Sequence, residues 1–93
     1  MFVANLKNAI DSNEGKIPLW FTEQHLNSAK VTHAQVTPNT RVCVITLTTG
    51  HDLVGYAQVL DAENDVELVG QEIAYNNAKE EIWRVFGSIG KVI

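Results

Sequence analysis

Apolar and polar positions alternate most clearly from Arg41 to Leu60, where RVCVITLTTGHDLVGYAQVL sets β-branched and aliphatic residues on either side of a Thr-Thr-Gly centre. A period of two broken by turn residues predicts two antiparallel strands joined as a hairpin. Thr49-Gly50 is the expected two-residue loop, because glycine reaches the positive φ that such loops require. That loop would set Thr46 opposite Leu53, Val44 opposite Gly55 and Val42 opposite Ala57 on one side of the ribbon. Leu47 with Asp52, Ile45 with Val54 and Cys43 with Tyr56 would share the other. Both sides are then substantially apolar, so a single covering element leaves one of them bare.

The period changes after Asn64. In NDVELVGQEIAYNNAKEEIWRVFG the apolar positions Val66, Val69, Gly70, Ile73, Ala74, Ala78, Ile82 and Val85 recur at steps of three and four, which predicts one helix from Asp65 to Phe86 lying across the hairpin. Asn64 and Glu67 have capping-box spacing, and Asp61, Glu63, Asp65 and Glu67 gather negative charge at the helix's positive end. Gly87 is the expected left-handed cap. Gly70, Ala74 and Ala78 make the middle of the stripe small, so the helix axis can approach the sheet closely. Glu80 and Arg84, one turn apart, form an expected outer-face pair.

Ahead of the hairpin, Phe2, Val3, Leu6 and Ile10 are spaced as on one face of a short helix from Met1 to Asp11, ended by the polar run Asp11 to Gly15. A helix of this length is marginal alone and needs a surface to dock on. Pro18 makes Ile17 to Phe21 an expected extended linker, and Thr22 an expected N-cap for a helix from Glu23 to about Lys30, with Phe21 and Leu26 at staple spacing. Val31 to Val36 is β-branched enough for a third, edge strand before Pro38-Asn39.

These elements make the fold class α+β: a small antiparallel sheet under a long C-terminal helix, with short N-terminal helices. The expected division is an N-terminal amphipathic extension, 1–16, and a single domain, 17–93. Ninety-three residues suffice for one modest core, and 45% hydrophobic with 19% charged residues is an ordinary globular composition. A net charge of -4 with scattered basic residues argues against a nucleic-acid phosphate surface. The lone Cys43 excludes an internal disulfide framework and suits a reducing cytoplasm. No run is apolar enough to predict a membrane span.

Reactive chemistry is sparse. His25, His33, Cys43 and His51 are the soft metal-ligand candidates, and no two stand at zinc-site spacing. Ser12, Ser28 and Ser88 sit in no nucleophile elbow, and the glycines form no phosphate-cradling loop. No catalytic, cofactor or metal residue is therefore expected. Trp20, Phe21, Asn76, Trp83, Arg84 and Phe86 are the candidate interaction surface, since aromatics and arginine are enriched at protein interfaces.

From about Ile17 to Phe86 the chain resembles the gene product 49/gene product 66 family of short tailed-bacteriophage proteins, whose function is uncharacterised. The resemblance rests on Thr22-Glu23-Gln24, His33, Val42-Cys43-Val44-Ile45-Thr46-Leu47 before Gly50, Gly55, Asp61-Ala62-Glu63-Asn64, Gly70, Ile73-Ala74-Tyr75, Asn77-Ala78 and Ile82-Trp83. It departs from the family pattern at Thr49, His51 and Ala62. The resemblance implies a phage origin, hence the cytoplasm of an infected bacterium, and brings no catalytic residues with it. The expected role is a non-enzymatic module that binds a host or phage protein, self-associating as a twofold homodimer because the second ribbon face needs cover. The alternative is a protein that sequesters a small ligand or nucleotide, held by residues such as Asn76, Asn77, Trp83 and Arg84.

Overall fold

The computed structural model describes residues 1–58 and 67–92. Along the chain it has α1 (Phe2–Asp11), α2 (Leu19–Asn27), β1 (Lys30–Thr37), β2 (Thr40–Thr46), β3 (Asp52–Gln58) and α3 (Glu67–Gly90). The three strands form one antiparallel meander in the order β1-β2-β3. This is the expected α+β arrangement, with α3 laid over β2 and β3 on one face and α1 and α2 beside its C-terminal half. The expected capping box at Asn64, and Val66 of the expected inward stripe, lie outside the described residues.

The hairpin register is one residue away from the expected one. Thr46 pairs with Asp52, Ile45 with Leu53, Val44 with Val54, Cys43 with Gly55 and Val42 with Tyr56. The cause is the loop. Leu47 donates its amide to the His51 carbonyl (2.9 Å) and Gly50 donates to the Leu47 carbonyl (2.9 Å), so Thr48, Thr49 and Gly50 together form the connection. Gly50, at φ 91°, takes the left-handed position of a three-residue loop. A shift of one residue in a structure of period two moves side chains between faces. Here it sorts them: Cys43, Ile45, Leu47, Leu53 and Ala57 are buried on the helix side with the backbone of Gly55, leaving Val42, Val44, Val54 and Tyr56 on the other side.

The helix approaches through its small residues, as the stripe predicts. Gly70, Ala74, Ala78, Ile82 and Phe86 are the buried positions of α3, whereas Val69 and Ile73 are about half exposed. Gly55 of β3 receives the closest approach, since a methyl group there would overlap the Ala74 carbonyl and the Ala78 backbone. Asn77 Nδ2 donates to the main-chain carbonyl of Tyr56 (2.8 Å), which ties the same stretch of α3 to β3.

Two boundaries and one ion pair differ from expectation. The segment Ile17 to Phe21 is not an extended linker: α2 opens at Leu19, with Pro18 at its N-cap in extended backbone (φ -74°, ψ 147°). Thr22 therefore lies inside the helix, and its hydroxyl donates back to the Leu19 carbonyl (2.8 Å) instead of capping. Gly87 does not end α3, which runs on to Gly90. The outer-face ion pair is Arg84 with Glu81, Nε to Oε2 at 2.6 Å, in place of the expected Glu80 pair.

Helix α1 packs into the core through one face. Leu6 is fully buried and Ala9 nearly so, in the same cluster as Phe21, Ile45, Ile82 and Phe86. The molecule is elongated, 49 × 21 × 20 Å. Its accessible surface is 6143 Å², against about 5,350 Å² for a compact monomer of its mass.

Candidate functional site

At the β2–β3 loop end, Phe2 of α1 meets Phe86 (ring centroids 5.0 Å apart), His25 (5.3 Å), His51 (5.6 Å) and Phe21 (6.1 Å). His25 also stands edge-on to Phe86 at 5.4 Å. Burial, with a smaller push from His51, holds the His25 imidazolium below its ordinary pKa, so this ring works as a neutral packing group. The His51 ring nitrogen Nδ1 lies 2.7 Å from the Thr49 hydroxyl, fastening the loop. Two histidines thus approach across an apolar ring. Among the described residues no three His, Cys, Asp or Glu side chains are placed to hold a metal ion. Cys43 is buried, and burial pushes its thiol pKa up, the opposite of a reactive thiolate.

The residues expected to form an interaction surface do not come together as one. Phe21 (3% exposed) and Phe86 (0%) belong to the core, because α1, α2 and α3 close around them. That correction has a tertiary cause: both rings pack on Phe2, Phe21 stacked and Phe86 tilted, and Phe2 arrives from a distant part of the chain. Trp20 is exposed on α2, along a groove with Asn5, Ser12 and Gln24. Trp83 is 39% exposed and lines a different groove, of about 470 Å³, with Ile10, Lys16, Ile17 and Lys91. Arg84 is engaged by Glu81, and Asn76 is exposed on the outer side of α3.

A larger continuous surface is the sheet face turned away from α3. The register puts Val44 beside Val54 and Val42 beside Tyr56, and carries the row onto β1 through Thr32 opposite Val44 and Ala34 opposite Val42. Tyr56 is 59% exposed at the centre of β3. Near the loop, the Thr46 hydroxyl donates to Asp52 Oδ1 (2.8 Å), giving this apolar row a polar edge. Beside it, all eight residues of β1 are exposed. The face was legible as a bare apolar side. Its membership depended on the register, which the alternation pattern alone left one residue adrift.

The model of the phage protein (N4 Gp49/phage Sf6 gene 66) family matches residues 14–91, from the turn after α1 to the end of α3. The chain belongs to this family. The matched span holds the whole sheet, its open face and the helix that seals the other side. No curated protein and no solved structure matches the chain. Among the described residues, no helix of this family member is long and apolar enough to cross a membrane.

Proposed function

We propose that this phage protein is a non-enzymatic interaction module that binds a host or phage protein in the cytoplasm of the infected cell. The supporting observation is the open sheet face, where half-buried Val42, Val44 and Val54 form an apolar row with the exposed Tyr56. Exposed apolar patches with polar rims are characteristic of protein contact sites, and tyrosine is a frequent anchor within them. Acid–base or nucleophilic chemistry, in contrast, needs converging titratable groups. Here two histidines, His25 and His51, both pack against the Phe2 ring. The test is affinity capture from infected-cell lysate with wild-type and Tyr56→Asp bait. The reading expects a protein retained by the first and lost by the second, and is contradicted if nothing above background depends on Tyr56.

The groove beside Trp83 supports a second reading, sequestration of a small anionic ligand. Lys16 and Lys91 stand at an apolar cleft that offers an indole for stacking. Of the residues expected to hold such a ligand, only Trp83 lines it. Asn77 is committed to the Tyr56 carbonyl and Arg84 to Glu81. A thermal-shift panel of nucleotides and cyclic dinucleotides decides the point, since a ligand at 100 times its dissociation constant adds about 2.7 kcal/mol. Absence of any shift retires this reading.

A further inference from the structure

We infer that two copies of the chain join edge to edge through β1, producing a six-stranded antiparallel sheet in the order β3-β2-β1-β1-β2-β3. The expectation of a dimer placed the contact on a face of the hairpin; the structure assigns it to the strand edge.

Strand β1, KVTHAQVT, is rich in β-branched residues, and every one of its eight residues is exposed. It is an edge strand, hydrogen-bonded on one side to β2. Natural edge strands are normally protected by charge, proline, bulges or a covering element. In β1 the charge is confined to Lys30 at the start, and the irregularity falls between Gln35 and Thr37 at the end. Between them, Val31 to Gln35 keeps regular pairing, and among the described residues no charge, proline or bulge guards its outer edge. At the other side of the sheet the opposite holds, since Asn77 of α3 donates to the Tyr56 carbonyl on β3.

The occupant follows from the chemistry of the edge and from symmetry. A second copy supplies an edge of matching length and uncharged character, and antiparallel pairing of identical strands is the closed, twofold solution. In such a pair, opposed residues point to the same face, so both α3 helices lie on one side and both open faces form one continuous surface on the other. The same condition requires the axis to pass midway between one residue of β1 and its own copy, so that this residue is opposed to itself. This inference concerns the edge and stands apart from the proposed use of the open face by another protein.

The test is sedimentation equilibrium of the full chain, joined to a single-cysteine scan from Val31→Cys to Gln35→Cys. The wild type, whose Cys43 is buried, serves as the uncross-linked control. Opposed residues of an antiparallel pair lie about 4.5–5.5 Å apart at Cα, within disulfide range. The expected result is a species of twice the 10.3 kDa chain mass, with mild oxidation cross-linking one scan position fastest and its neighbours more slowly. Ala34→Lys, which sets like charges near the axis, is expected to raise the dissociation constant at least tenfold without altering the far-ultraviolet circular dichroism. A monomer at about 100 µM overturns the inference. So does a dimer in which no β1 position cross-links, because that dimer uses another surface. Loss of the Tyr56-dependent partner with the dimer intact strikes the proposed function alone.

Discussion

The two faces of this sheet are built from neighbouring residues of the same two strands and have opposite fates. On one, Cys43, Ile45, Leu53 and Ala57 lie under a helix that comes close enough to touch the backbone of Gly55. On the other, Val42, Val44 and Val54 are equally suited to burial and stay half-buried, beside an exposed Tyr56. Hydrophobicity does not separate them. What separates them is the small-residue stripe Gly70, Ala74 and Ala78, which fits only one side of a strand whose glycine points the same way. Local packing therefore decides which apolar face becomes core and which remains available for contact.

The comparison breaks most sharply at Gly55. Gly55→Ala is expected to lower stability by about 3 kcal/mol, because the added methyl meets main-chain atoms of Ala74 and Ala78 that cannot rotate away. Thermal or denaturant unfolding checks this, and a loss under about 1 kcal/mol would show that the helix can be displaced easily. Leu6→Ala, which removes a fully buried side chain of α1, is expected to cost roughly 2–4 kcal/mol and shows whether the N-terminal helix shares the sealed core. A near-neutral melt would instead make residues 1–16 a loose appendage.

A smaller effect is expected from pH. The folded-state pKa of His25 lies below its ordinary value of 6.5, so the unfolded chain binds more protons as the solution is acidified. Stability from this group is intact above the ordinary value and declines as pH falls through it. Melting curves between about pH 7.5 and 5.5 should show that decline, and His25→Phe should flatten it. If the variant follows the wild type throughout, the aromatic cluster does not hold His25 as described. Tyr56→Ala is the smallest, within about 0.5 kcal/mol of wild type, as befits a side chain on the uncovered face. A large destabilisation there would mean that something within the chain covers it.

Much of this architecture was legible in the alternation from Arg41 onward and in the three-and-four spacing that follows, because those patterns report burial against one neighbouring surface. Where the sequence misled, the deciding interaction was either a loop conformation or a distant ring. Thr49-Gly50 has the look of a two-residue turn, but Gly50 at positive φ closes a three-residue one and shifts every pair. Pro18 marks the start of α2, not an extension of the linker, since proline is tolerated at a helix entrance. Phe21 and Phe86 look like spare aromatics until Phe2 reaches them from the N-terminus. For the candidate site, the existence of a bare apolar face could be argued from the strands alone. Tyr56 could be assigned to it only after the register was known.

One face of the sheet is closed by α3, and we infer that the edge strand β1 pairs with a second chain. Residue-resolved hydrogen exchange at low and high protein concentration tests it most directly. Exchange is expected to be slow in β2, β3 and the middle of α3 at both concentrations, with outward-facing β1 amides fast when dilute and protected when concentrated. Protection of β1 equal to that of β2 in dilute solution, or exchange in β1 that ignores concentration, would contradict it.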